Sequence, residues 1–223
     1  MAKPLLSVES YRTVEPKNQM GLIGLGRIGQ MGNNVRVFLV DDNNEFALNF
    51  GEIISLDKRL DYLGHASCKT SGVSKSIELK PDIVVMDLNL SGTALDGIDA
   101  AKEIRVKTGI QVILLTAFEN EDIILRASKN AFASGYIFKR QFESIADIVF
   151  QTVRSNTVEK TWIKHSLQKE LTNAEEAVFK GLIDGDVYKY SRATPSTIEK
   201  QLTSIYKKFD VRCGKDLLKI FNL

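Results

Sequence analysis

What this chain of 223 residues lacks narrows its class before any motif is read. Its two cysteines, Cys68 and Cys213, fall in segments that read as different domains, so no disulfide framework is expected and a reducing compartment is. No apolar stretch reaches the roughly 20 residues of a membrane-spanning helix, and the N-terminus lacks the long apolar core of a signal peptide. The protein is therefore expected in the cytoplasm, with no membrane partner. Strong charge of one sign is also missing. Thirty basic against 28 acidic residues leave a net of +2, which points to no partner when averaged over the whole chain. The distribution is more telling: residues 1–34 carry +2, residues 35–155 carry −3 and residues 156–223 carry +3.

What is present is organised around IVVMDLNLSG at 83–92. Ile83 to Met86 are apolar without alternation, the pattern of a strand buried on both faces of a parallel sheet, and Asp87 ends it. In open α/β sheets the carboxyl edge is where ligands bind. Other apolar runs deliver reactive groups to the same edge. VRVFLV at 35–40 ends in Asp41 and Asp42, QVILL at 111–115 ends in Thr116, and GYIF at 135–138 ends in Lys139. Three carboxylates that close repel one another unless a cation sits among them, and oxygen ligands of this kind suit Mg²⁺. A carboxylate nucleophile beside a metal, an ammonium and a hydroxyl is equipment for receiving a phosphoryl group.

The order and separations of these residues carry a resemblance. Asp41 and Asp42 precede Asp87 by 46 and 45 residues, Thr116 follows 29 later and Lys139 a further 23. Residues 35–155 thus resemble the receiver domain of a bacterial two-component response regulator, and ENEDIILRASKNAFASGYIFKR resembles its NarL/LuxR subfamily. The resemblance implies that Asp87 is the phosphoacceptor, phosphorylated by a sensor histidine kinase, with Thr116 and Lys139 gripping the phosphoryl oxygens. It implies that Asp42, Asp87 and the backbone carbonyl of Asn89 hold Mg²⁺, with Asp41 acting mainly through water, and that Tyr136 is the switch aromatic. It also implies a regulator rather than an enzyme, forming a homodimer when phosphorylated. One departure is local: Ser91 stands where the family carries a proline, in a loop slightly longer than usual before Asp96 and Gly97.

The expected fold is a doubly wound, parallel, five-stranded α/β receiver domain of the flavodoxin-like kind, followed by a small all-α helix-turn-helix domain. Residues 1–34 read as an arm. They contain Gly24, Gly26 and Gly29 in a GxGxxG pattern, but Gly32, Asn33 and Asn34 lead straight into the first strand and leave no room for the helix that a dinucleotide fingerprint opens. Helices are expected near 45–58, with Phe46, Leu48, Phe50, Ile53 and Ile54 apolar, and near 71–79, 97–107, 120–131 and 142–155, with a short strand near 61–66. Pro81 should hold Lys80 extended. His65 reads as a structural residue.

Residues 156–169 read as a linker or a helix leading out of the receiver, and residues 170–223 as the output domain. LTNAEEAVFKGLIDG at 171–185 resembles the first helix of a LuxR-type helix-turn-helix, capped by Thr172, boxed by Glu175, apolar at Val178, Phe179, Leu182 and Ile183, and stopped at Gly185. TPSTIEKQLTSIYKKFDV resembles its recognition helix, with Thr194 before Pro195 as the start. Thr197, Lys200, Gln201, Ser204, Lys207 and Lys208 are the candidate contacts to duplex DNA. Only 12 residues separate Gly185 from Thr197, about one helical turn short for the scaffold helix, and Glu199 brings a negative charge where a lysine is usual. The competing expectation keeps the receiver but makes the C-terminal domain a protein-interaction module that does not bind DNA.

Overall fold

The computed structural model describes residues 34–90, 96–117 and 120–221. The arm with its three glycines and Ser91 of the loop lie outside the described residues. Strands β1 (Val35–Val40), β2 (Leu60–Ala66), β3 (Ile83–Asp87), β4 (Gln111–Thr116) and β5 (Gly135–Phe138) form one sheet in the order β2-β1-β3-β4-β5, every pairing parallel. Successive side chains on a strand face opposite sides, so a sheet covered on both faces needs unbroken apolar runs. Val37 and Leu39 of β1 and Val85 of β3 accordingly pack with Phe50 and Ile54 of α1 (Asn44–Leu56) and with Val149 of α5 (Ile145–Arg154). Phe38, Val40 and Met86 face the other way, onto α2 (Lys69–Leu79), α3 (Asp96–Thr108) and α4 (Glu121–Asn130). The β1–β2 register slips by one residue between Val37 and Leu39, and Gly64, with φ at +104°, absorbs it.

Several local expectations are corrected. Lys80 is not extended but left-handed, φ 49° and ψ 57°, closing α2 with a bond from its N–H to the Ser76 carbonyl; a following proline disfavours the right-handed helical region and leaves this one accessible. The helix expected near 45–58 does form, and its period turns Ala47, Phe50 and Ile54 inward while Leu48 faces out, 67% exposed. The last receiver helix begins three residues later than its apolar pattern suggested: Lys139–Ser144 is a 3₁₀ segment, and α5 starts at Ile145.

The C-terminal part is all helical: α6 (Val158–Gln168), α7 (Asn173–Ile183), α8 (Pro195–Phe209) and α9 (Gly214–Phe221). Residues 156–169 contribute a helix whose Ile163 and Leu167 are buried in the same cluster as Val178, Phe179, Ile198 and Ile205. Thr172 and Glu175 make the reciprocal capping box that opens α7, whereas Ile183 is 37% exposed rather than part of the apolar face. No helix forms between α7 and α8, so the scaffold helix is absent and Val187 packs into the cluster from an irregular connection.

Two helix ends lock the halves together. Arg105, fully buried near the end of α3, donates to the carbonyls of Gly109 and Ile110 and, across the boundary, to that of Ile220 in α9. Lys219 of α9 returns the exchange, donating to the Val106 and Lys107 carbonyls at 3.2 and 2.9 Å. Each cation thus meets the negative end of the other's helix. Burial lowers Arg105 to about 10, and burial together with the neighbouring Lys164 and Arg105 charges lowers Lys160 of α6 to about 8; Lys160 donates to the Gln111 side chain at 3.1 Å. Phe132, between α4 and β5, reaches into the C-terminal cluster and stacks edge-on with Phe209 at 6.3 Å. It does so from a left-handed backbone, φ 53°, a conformation costing a bulky residue about 1 kcal/mol or more.

Candidate functional site

The sheet order reverses between β1 and β3, which opens a crevice at their carboxyl ends. Asp41 and Asp42 follow β1, Asp87 ends β3 and Thr116 ends β4; Lys139 follows β5. The structure therefore brings the five sequence-chosen residues to one edge. Asp41, Asp87 and Thr116 are buried and Asp42 is exposed, so the cluster opens to solvent on the Asp42 side. Lys139 Nζ bridges the acids, 2.9 Å from Asp41 Oδ2 and 3.0 Å from Asp87 Oδ2, with its ammonium 4.8 Å from the centre of the Phe46 ring. The Asn43 N–H donates to Asp41 Oδ1 at 2.9 Å, and the Asn89 N–H to Asp87 Oδ1 at 3.3 Å.

Burial pushes the Asp87 carboxyl above the usual carboxylate range; the Lys139 charge and hydrogen bond oppose the rise and Asp41 adds to it. Burial works against the Lys139 ammonium, but its two carboxylate partners outweigh burial and raise it. Asp41, Asp42 and Asp87 each offer an oxygen within 4.8 Å of the others. Three hard oxygen donors with no sulfur or imidazole among them fit Mg²⁺. Gly97 completes the floor: a Cβ there would lie 2.0 Å from the Asp87 carbonyl oxygen, so only glycine lets α3 pass directly behind the end of β3. Tyr136 is half-buried against the cluster around Met86, its ring 5.7 Å from that of Phe138 and nearly perpendicular to it.

A family model of the response regulator receiver domain matches residues 37–150. The chain belongs to that family. Among curated proteins, this receiver-containing chain is similar to the response regulator protein VraR of Staphylococcus epidermidis, 26% identical over 194 residues that span 80% of this chain and 91% of the relative. VraR of Staphylococcus aureus is 25% identical with the same coverage. Among solved structures, the response regulator domain of Thermotoga maritima CheB is 29% identical with a TM-score of 0.48, covering 55% of this chain and 95% of its own. RcsB from Salmonella enterica serovar Typhimurium, solved bound to promoter rprA with the phosphomimetic BeF₃⁻, is 20% identical with a TM-score of 0.49, covering 85% and 99%.

The second group of sequence-chosen residues divides. On α8, Thr197, Lys200 and Lys207 are exposed. Gln201 and Ser204 are half-buried, and Lys208 is tied down although its surface is open. The tie is Glu175, whose carboxylate accepts from Ser204 Oγ at 2.7 Å, from Lys208 Nζ at 2.6 Å and from the Thr172 N–H at 2.7 Å. Burial pulls Glu175 upward, but the Lys208 bond, the Thr172 backbone and the Ser204 hydroxyl more than offset it and hold the carboxyl down at about 2. The face of α8 that points outward consists of Ser196, Glu199, Lys200, Thr203 and Lys207. Thr203 shares this exposed face and was not among the residues chosen from the sequence. The helical period counted from the Thr194 cap would have found it, since positions 3, 4, 7 and 11 residues after Ser196 share its side.

Proposed function

We propose that this response regulator is phosphorylated on Asp87 by a sensor histidine kinase and controls transcription by binding duplex DNA through its C-terminal domain. The observation that carries the reading is the Lys139 ammonium held between Asp41 and Asp87 at a sheet edge that also presents Asp42 and Thr116. An Asp87 carboxylate oxygen attacks the phosphorus of the donor phosphohistidine; the P–N bond breaks and the imidazole leaves with the electron pair. The Lys139 ammonium then turns from carboxylate to phosphoryl oxygen, and the Thr116 hydroxyl donates to a second. Asp42, Asp87 and the Asn89 carbonyl would hold Mg²⁺, with Asp41 beyond them, and the metal supplies charge neutralisation for the incoming phosphoryl group.

Incubation with a small phosphodonor and Mg²⁺ should label Asp87 alone, and Asp87→Asn should remove the label; label persisting on the variant rejects the assignment. Beryllofluoride should bind only with Mg²⁺ present, and Asp42→Ala should weaken both. The DNA reading is supported by an exposed, capped helix bearing Lys200 and Lys207 in a segment of charge +3. The absent scaffold helix and the exposed Glu199 on the outward face of α8 favour a protein-interaction module instead. A duplex titration at two salt concentrations separates them, because phosphate contacts make affinity fall with salt and a module that ignores DNA has no affinity to lose.

A further inference from the structure

We infer that this chain engages duplex DNA with its two halves still docked, so that the receiver does not have to release the C-terminal helices before α8 can meet a groove. The inference rests on the DNA-binding reading above and adds to it a statement about which conformation binds.

The contacts across the boundary use the wrong end of α8 for occlusion. Lys102 of α3 pairs with Asp210 at 2.9 Å, just past the end of α8, Phe132 packs on Phe209, and Lys129 pairs with Glu170 before α7. The crevice between the halves is lined from α8 only by Lys208 and Phe209. Of the remaining clasps, Arg105 with Ile220 and Lys219 with Val106 and Lys107 lie on α9, and Lys160 with Gln111 lies on α6; none involves α8.

A recognition helix presents its N-terminal residues to base edges. Here Thr194, Ser196, Thr197, Glu199, Lys200 and Thr203 are all exposed, and the rise of an α-helix places Lys200 about 15 Å along the axis from Asp210. The glutamate network adds to this separation, because Lys208 is already engaged by Glu175 within the C-terminal part and is not a cation that undocking would liberate. The docking is also firm: it buries Phe132 and Arg105, and pulling the halves apart would expose the first and strip the second of one of its carbonyl partners.

The test locks the docked state in the full chain. With Cys68→Ser and Cys213→Ser as background, Lys102→Cys and Asp210→Cys are joined by a short bismaleimide, and binding to a mixed-sequence 30-base-pair duplex is read by fluorescence anisotropy at low salt. The cross-linked protein should bind within about threefold of the same variant before cross-linking. In a companion variant, Lys219→Met, which removes the α9 bonds to the Val106 and Lys107 carbonyls without touching α8, affinity should likewise change by less than about threefold. A tenfold or greater loss on cross-linking, a tenfold gain in Lys219→Met, or failure of the two thiols to cross-link in the folded protein overturns the inference while DNA binding itself stands. Absence of binding by the uncross-linked variant and by wild type alike rejects the DNA-binding reading, and this inference with it.

Discussion

Replacing Glu175 by Gln tests whether one carboxylate has taken over the work of the missing scaffold helix. The wild-type group is buried, 4% exposed, and accepts from Thr172, Ser204 and Lys208, so it joins the start of α7 to the last turns of α8. Glutamine keeps the shape, but its one amide oxygen cannot serve all three donors and its NH₂ meets another donor. Each charge-assisted bond is worth about 1.5–3 kcal/mol, discounted here because Lys208 remains 31% exposed and can turn to water. The loss should come to about 3 kcal/mol at neutral pH. The same contacts also set a pH dependence. Glu175 is held at about 2 against an ordinary value of 4.5, so its ionised form contributes stability that is fully present above the unfolded value and is lost as pH falls towards the folded one. The same shift corresponds to about 3 kcal/mol at pH 7 and about 2 kcal/mol near pH 3.5. Urea unfolding of wild type and variant, followed by circular dichroism at both pH values, should show the difference shrinking by about a third. A difference below about 0.5 kcal/mol at neutral pH, or one that does not change on acidification, refutes the role given to Glu175.

Three further outcomes follow from the geometry. Gly97→Ala should destabilise the receiver half by about 3 kcal/mol or more and abolish labelling by a phosphodonor, since the added carbon would meet the Asp87 carbonyl at 2.0 Å; a thermal melt unchanged from wild type would contradict the close approach. A chain starting at Asn33 should melt at the same temperature as the full chain and label equally well, and unfolding on truncation would show that the arm belongs to the core. Lys200→Ala should weaken binding to every duplex alike and reduce the salt slope by about one, whereas a variant that changed only sequence preference would place Lys200 on a base edge instead of a phosphate.

How much of this was legible beforehand depended on whether a residue's role was set locally. Asp41, Asp42, Asp87, Thr116 and Lys139 could be found because each ends an apolar run, and parallel strands bring such ends to one edge whatever happens elsewhere. The Thr172 and Thr194 caps were legible for the same reason. Lys80 was misplaced because the proline rule excludes one region without choosing between the others. Arg105, Phe132 and Lys219 carried no signal at all: an arginine and a lysine near helix ends read as solvated charges until the two ends are known to meet.

Phe132 has a consequence for how the chain can be divided. By connectivity the α/β half ends near α5, yet this phenylalanine belongs to the α/β half in sequence and to the helical half in packing. A fragment cut at that natural-looking boundary would put an aromatic ring into water while keeping the strained backbone that positioned it, and would leave the helical fragment with a hole beside Phe209. Each piece would lose packing at the cut that the intact chain provides. Grafting a different output domain onto this receiver would require changing position 132 as well as the junction, and a fusion that ignored it would be prone to self-association through the orphaned ring.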